Sequence, residues 1–439
     1  MVARTNRQQL WIRAVGLIAT LVLLAALSAG DVFADGAAAT AGADQLDRLI
    51  EVAVADNPDL AALRRRIEAT DATLEQAGSL PDPRGMVALS NAPVGDTSLE
   101  RSPMTGIQLG LRQMIPYPGK LDLRELAAEQ DVIITTAIYE ESENSIVRDV
   151  KRAWNELYYL HRAVDVTELN KQIAQALTEI ADAMYSVGTR PQQDLVKANV
   201  EVARLVDRLV VLEERIDRAE ARLNGLLDRP ANAPLPRPRV TFEPLELSAA
   251  ALEDAARETR PLLLETAGRM EKAETMVRLA EMNMKPDFDV GVDYRIRAGS
   301  PMDPVGGQDF FSLSFSANLP WFNKNLHRAE VEEQEARLEQ VREQDRAAFN
   351  RVREALDNAL ESAQKQRRQA SLYAEGLIPQ AELGFSAARS AYETGQVDFT
   401  AVLEAFRTLN NYQEQYYRIV ADHSNAIADL EYVIGQRLR

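Results

Sequence analysis

The chain has 439 residues, with 50 Lys and Arg against 67 Asp and Glu, a formal net charge of −17. It has no cysteine, which excludes disulfides, zinc-thiolate sites, iron–sulfur ligation and cysteine nucleophiles. So acidic a balance argues against general nucleic-acid binding, which needs a positive surface.

Residues 1–34 read as an address. Arg4, Arg7 and Arg13 precede an apolar run from Ala14 to Ala29, and Val32-Phe33-Ala34 has the small-x-small character of a cleavage site. A short apolar core followed by such a site predicts a secretory signal peptide rather than a membrane helix. No other stretch approaches 18 consecutive apolar residues, so no further transmembrane helix is expected.

The remainder divides into a first repeat over 35–228, a Pro-rich linker over 229–246 and a second repeat over 247–439. Asn57-Pro58-Asp59-Leu60 is answered by Arg260-Pro261-Leu262-Leu263, and Leu80-Pro81-Asp82 by Lys285-Pro286-Asp287. Ile115-Pro116-Tyr117-Pro118-Gly119-Lys120 is answered by Leu319-Pro320-Trp321-Phe322-Asn323-Lys324, and Tyr185-Ser186-Val187-Gly188 by Tyr392-Glu393-Thr394-Gly395. The order holds throughout, which marks a tandem duplication. Pro230, Pro234, Pro236, Pro238 and Pro244 favour an extended bridge between the copies.

Each repeat predicts a helix, two short strands, a very long helix, a turn and a second long helix. Strands show as period-two alternation: Ile107, Leu109 and Leu111; Phe288, Val290, Val292 and Tyr294; Phe311, Leu313, Phe315 and Ala317. Met86 to Ser90 alternates least clearly. Helices show as unbroken spacings of three and four. Leu195, Ala198, Val202, Leu205, Leu209, Leu212, Ile216, Ala219, Leu223 and Leu226 form one stripe. Val402, Ala405, Leu409, Tyr412, Tyr416, Ile419, His423, Ala426, Leu430 and Val433 form its counterpart. Such seams predict coiled-coil-like packing. The helix from Lys120 to Tyr185 holds about 66 residues, roughly 99 Å at 1.5 Å per residue. The corresponding helix from Lys324 to Tyr392 should kink or break near Pro379.

Four strands cannot close a barrel, and an open sheet edge cannot sit in lipid. If these strands enter a membrane, several chains must pool them, as outer-membrane barrels do. Tyr117, Trp321 and Phe322 lie where strand passes to helix; an aromatic belt at the lipid headgroups and plain packing at the junction both account for them.

The duplicated plan, the Pro-Tyr-Pro-Gly-Lys junction at 116–120, the Tyr-x-x-Gly turns at 185–188 and 392–395, and the stretch Tyr392 to Asn410 resemble the TolC family of outer-membrane efflux proteins. The resemblance covers essentially the whole chain after residue 34. It implies a mostly α fold with a small membrane β-barrel. Three chains would give a trimeric α-helical tunnel and one shared 12-stranded barrel, four strands from each. It further implies an exit duct in the outer membrane that docks, at its periplasmic tip, with an adaptor protein and an inner-membrane pump. Asn91-Ala92-Pro93, Met104-Thr105 and Gln113-Met114-Ile115-Pro116 are most similar to members serving heavy-metal pumps of the resistance-nodulation-division class. Heavy-metal cations are then one expected cargo. A type I protein-secretion duct would look alike, and a soluble periplasmic coiled-coil adaptor or scaffold is the reading from another class.

By the same resemblance the two helix turns form the adaptor-docking tip, with Gly188, Thr189, Gly395 and Gln396 at it, and Glu404 lines a periplasmic gate. Three copies of Glu404 would put a carboxylate ring around one axis; a solvated Glu on a helix surface would read the same in sequence. Where the family often carries a second acid one turn earlier this chain has Ala401, which leaves a single ring or shifts that role to Asp398. Asp398 also suits a helix cap, and Asp194 suits a favourable contact with a helix dipole as its whole role. His161, His327 and His423 are too scattered for a metal motif, and His423 reads as a packing residue in its seam. Met276, Met282 and Met284, with Met86, Met104 and Met114, could offer soft thioether ligands but read as gap fillers. No phosphate loop, nucleophile motif or cofactor site is present in the sequence, so transport rather than catalysis is expected.

Overall fold

The computed structural model describes residues 36–95, 97–100, 102–240, 242, 248–299 and 303–438. The expected signal peptide and part of the Pro-rich bridge lie outside the described residues. The described residues are mainly helical, with four strands. In order these are α1 (Gly36–Asp56), α2 (Pro58–Ala77), β1 (Arg84–Ser90), β2 (Gly106–Ile115), α3 (Lys120–Ser186) and α4 (Gln192–Leu226). Then follow α5 (Ala249–Thr259), α6 (Pro261–Met282), β3 (Phe288–Arg297), β4 (Phe310–Ala317), α7 (Lys324–Leu372), α8 (Ile378–Glu393) and α9 (Phe399–Ile434). Among the described residues no helix is long and apolar enough to cross a membrane.

Two compact units form, and each takes segments from both halves of the sequence. One comprises the described residues up to Asn57, Ile146–Leu247 and Asn358–Glu431; the other comprises Pro58–Ser145, Ser248–Asp357 and the C-terminal segment from Tyr432.

The second unit carries the sheet. Its strands lie in the order β1-β2-β3-β4, every neighbour antiparallel, so the two sequence halves join at the β2–β3 pair. Register sorts the side chains cleanly onto two faces, as the period of a strand requires. Val87, Leu109, Tyr294 and Phe311 form one cross-strand row, and Leu111, Val292 and Leu313 belong to the next. All seven side chains are exposed. The other face carries Arg84, Met86, Gln108, Gly110, Arg112, Asp293, Arg295 and the serines 312, 314 and 316. β1 begins two residues before the alternation suggested.

A polar staple joins the strand–helix junctions of the two halves. Lys120 Nζ donates to Asp287 at 2.8 Å and to the Lys285 carbonyl at 3.3 Å, and the Tyr117 N–H donates to Asp287 at 2.9 Å. Asn318 receives the Asp287 N–H at 2.5 Å and donates its own N–H to the Asp287 carbonyl at 3.2 Å. Nearby, Tyr117 tilts against Phe288, which stacks on Phe315, whereas Trp321 and Phe322 sit on a 3₁₀ turn with their rings exposed.

The first unit is built from helix seams. None of the ten residues in either predicted stripe is exposed, in α4 or in α9. The stripes bury because spacings of three and four keep one face toward a partner helix. His423 is buried in its seam, 4.6 Å ring to ring from Phe242, and burial first, then Arg367, lowers its basicity. It is a packing residue. The described part of the Pro-rich bridge is strapped to the helices up to residue 240. Trp154 donates to the Arg239 carbonyl at 3.4 Å, Arg237 pairs with Asp165, and Val240 packs on a core of Tyr158, Leu160, Leu212 and Val420. Backbone carbonyls of a Pro-rich strap still accept side-chain donors, although prolines supply none. The break foreseen near Pro379 is a π turn, Tyr373–Leu377, that separates α7 from α8.

Candidate functional site

The two turns between long helices, Val187–Pro191 and Thr394–Asp398, lie in the first unit and are built alike. Gly188 has φ +74° and Gly395 φ +84°, values that a Cβ disfavours. The Gly188 N–H bonds the Tyr185 carbonyl at 2.8 Å and the Thr189 N–H bonds Met184 at 3.0 Å. The Gly395 N–H bonds Tyr392 at 3.0 Å and the Gln396 N–H bonds Ala391 at 2.8 Å. Both are Schellman motifs, which satisfy the last carbonyls of a helix through a left-handed residue. Gly188, Thr189, Gly395 and Gln396 are all exposed.

What joins the turns was not legible in the sequence. Arg190 donates to the Tyr392 carbonyl at 3.0 Å and the Val397 carbonyl at 2.9 Å, and its guanidinium lies 4.6 Å from the centre of the Tyr392 ring. The Tyr392 hydroxyl donates to Asp194 at 3.1 Å, with the ring fully buried against Phe399. Asp194 is only 6% exposed. This corrects the expectation that a helix-dipole contact is its whole role: Asp194 is the acceptor in a buried contact between the repeats. Burial, then the charge of Asp194 and the hydrogen bond to it, push the Tyr392 hydroxyl up to about 12 against the opposing effect of Arg190. Beneath the turns, Phe385, Phe399, Val402 and Phe406 of the second repeat pack with Leu177, Ala181, Ala198 and Leu205 of the first. Each large side chain buried there contributes about 1.5–3 kcal/mol.

Glu404 lies on α9 and is exposed. Its charge adds to that of Glu201 in raising the Arg407 guanidinium, where the hydrogen bond from Arg407 to Glu201 is the leading cause and burial opposes it. Arg407 donates to the buried Glu201 through Nε at 2.9 Å and through a terminal nitrogen at 2.5 Å. Glu201 was not anticipated; the signal would have been an acid beside the apolar seam of α4, 206 residues before Arg407. Asp398 occupies the N-cap position of α9: its carbonyl accepts the Ala401 N–H at 3.1 Å, and its side chain is exposed. Glu404, Asp398, Arg407 and the two turns therefore share one unit. Tyr117, Trp321 and Phe322 belong to the other, at the strand–helix junctions. Among the described residues no group of three or more metal-ligating side chains converges.

The chain is similar to known proteins over most of its length. The family model for outer membrane efflux proteins matches residues 49–229 and again 252–436. The pyoverdine export outer membrane protein OpmQ of Pseudomonas putida is 24% identical over 409 residues, covering 89% of this chain and 86% of the relative. The cobalt-zinc-cadmium resistance protein CzcC of Cupriavidus metallidurans is 21% identical over 404 residues, covering 90% of this chain and 91% of the relative. Among solved structures, the outer membrane protein VceC of Vibrio cholerae superposes with a TM-score of 0.76 at 18% identity, over 90% of this chain and 97% of that one.

Proposed function

The chain belongs to the outer membrane efflux protein family, and on that premise we propose that three copies form the exit duct of a tripartite efflux system. The observation that carries this reading is the sheet. One face is apolar except for Gln113 and is largely exposed, and among the described residues β1 and β4 each leave an edge without a neighbouring strand. Unpaired backbone groups cannot face hydrocarbon. Because the strands alternate in direction in the order 1-2-3-4, β4 of one copy meets β1 of the next antiparallel. Three copies then close a 12-stranded barrel with the apolar rows outward. Val196, Val200, Val206 and Val210, exposed along α4, suit helix contacts between copies.

Trp321 and Phe322 would sit at the headgroups, with Tyr117 packed on Phe288 at the neighbouring junction. The periplasmic turns, through Gly188, Thr189, Gly395 and Gln396, would dock an adaptor protein joined to an inner-membrane pump of the resistance-nodulation-division class. Glu404, with Asp398 above it, would narrow the entrance. The work is passage and gating, not catalysis. Of the two named relatives, one is named for pyoverdine export and the other for cobalt-zinc-cadmium resistance.

Light scattering of the detergent-solubilised protein, with detergent subtracted, tests the assembly. About three chain masses obtained from the outer-membrane fraction is the expected result. A monomer or dimer in detergent-free periplasmic extract would replace the duct by a soluble scaffold. Glu404→Ala should raise the conductance in a planar bilayer; an unchanged conductance removes Glu404 from the gate.

A further inference from the structure

The face of the sheet opposite the apolar rows holds an arrangement that no packing requirement explains. Arg84 and Arg112 are direct cross-strand partners in β1 and β2, and the row continues to Gly291 and Ser314. Both arginines are exposed. Like charges directly opposite each other destabilise a sheet, and among the described residues neither arginine has an ion-pair partner within 4 Å. The site is nonetheless shaped for them. A Cβ at residue 291 would lie 3.1 Å from Arg112 Cγ and 2.5 Å from the Ser314 hydroxyl, so glycine there leaves room for the Arg112 stem to cross β3. The row lies toward the strand ends that join the helices, since Arg84 opens β1 and Arg112 is near the end of β2.

The remaining charges on this face do not cancel the pair. Asp289 lies one row nearer the helices, and Asp293 one row farther along is largely buried. Arg295 adds a further cation and bonds Gln108 at 3.4 Å, while Arg297 is buried in its pair with Asp303. Arginines therefore outnumber acids on the inward face, although the whole chain is strongly acidic.

We propose that Arg84 and Arg112, repeated in three copies, form a six-guanidinium ring inside the barrel that selects anionic, carboxylate-bearing small solutes for exit. The inference rests on the shared-barrel reading above. Rings of Arg or Lys favour anions in pores, and a guanidinium fork matches a carboxylate through two parallel hydrogen bonds. Low-dielectric walls focus the field of unpaired cations into the lumen. A bare divalent cation is disfavoured at this level, whereas the same metal carried in an anionic complex is not.

The test uses the full chain purified from outer membranes and placed in planar bilayers. Reversal potentials in a KCl gradient give the chloride-to-potassium permeability ratio, and citrate added on the side of the β1–β2 and β3–β4 loops reads binding inside the barrel. The ratio should fall, and the citrate concentration for half-block rise by at least about tenfold, in the Arg84→Gln/Arg112→Gln double variant. The Arg84→Lys/Arg112→Lys variant should retain the permeability ratio, because it keeps the charge. Equal selectivity and equal citrate block in the wild type and the double Gln variant would overturn the ring and leave the barrel standing. A monomeric mass with no conductance in any variant would defeat the barrel reading itself, and the ring with it.

Discussion

Replacing Lys120 by Met probes the staple that joins the two sequence halves at the base of the sheet. The Lys120 side chain is 2% exposed and that of Asp287 25% exposed, with 2.8 Å between charged atoms. Burial by itself would raise the Asp287 carboxyl, but hydrogen bonds from Lys120 and the Tyr117 N–H, with the charges of Lys120 and Arg124, hold it below the ordinary carboxylate value. Methionine keeps most of the volume and removes the cation, leaving Asp287 with the Tyr117 donor and partial access to water. Breaking one side of a buried pair costs about 3–5 kcal/mol; the exposure of Asp287 lowers our expectation to about 2–3 kcal/mol. Urea unfolding in detergent, followed through the strand signal, measures this loss. The companion variant Asp287→Asn and the double variant complete a cycle, with an expected coupling of about 1–2 kcal/mol at neutral pH. Since the folded-state carboxyl is depressed, the contribution is present above its unfolded pKa. It should fade as pH drops below about 4, through the lowered folded value. Single variants that add to within about 0.5 kcal/mol at pH 7 would show that Lys120 and Asp287 do not act together, and would refute the staple.

Tyr392→Phe should cost about 1.5–3 kcal/mol, because it strips a donor from the buried Asp194; thermal unfolding of the helical signal measures it. The hydroxyl is raised from 10.0 to about 12, so the folded state holds that proton longer than the unfolded chain. Stability from this group is full below pH 10 and should fall as pH rises toward 12, a dependence absent in Tyr392→Phe. Gly395→Ala, at φ +84°, should cost about 1 kcal/mol through backbone strain, and weaken binding of an adaptor measured by co-purification. Arg407→Ala should destabilise by about 2–4 kcal/mol by abandoning the buried Glu201; Glu201→Gln should recover part of that loss, and a double variant no more stable than Arg407→Ala alone would refute the pairing.

Sequence alone marked most of the elements and their faces; where one helix was expected to open each repeat, the structure has two, divided before Pro58 and Pro261. Spacings of three and four marked the seams of α4 and α9, and alternation marked β2, β3 and β4. These signals are local: the period of a helix or a strand is written in neighbouring residues. Glycines at 188 and 395 marked the turns for the same reason, since a left-handed position asks for glycine wherever it occurs. The rest depended on partners far apart in the chain. Asp194 read as a helix-end charge until the fold brought the Tyr392 hydroxyl to it from 198 residues away. Glu201 and Arg407, 206 residues apart, and Lys120 and Asp287, 167 apart, likewise became pairs only through packing. Alternation placed Arg112 on a strand but left Arg84 outside one, and only the β1–β2 register set them face to face. Burial and charge pairing are properties of three-dimensional neighbours, so the tertiary structure decided which acids are satisfied and which arginines are left to act on something else.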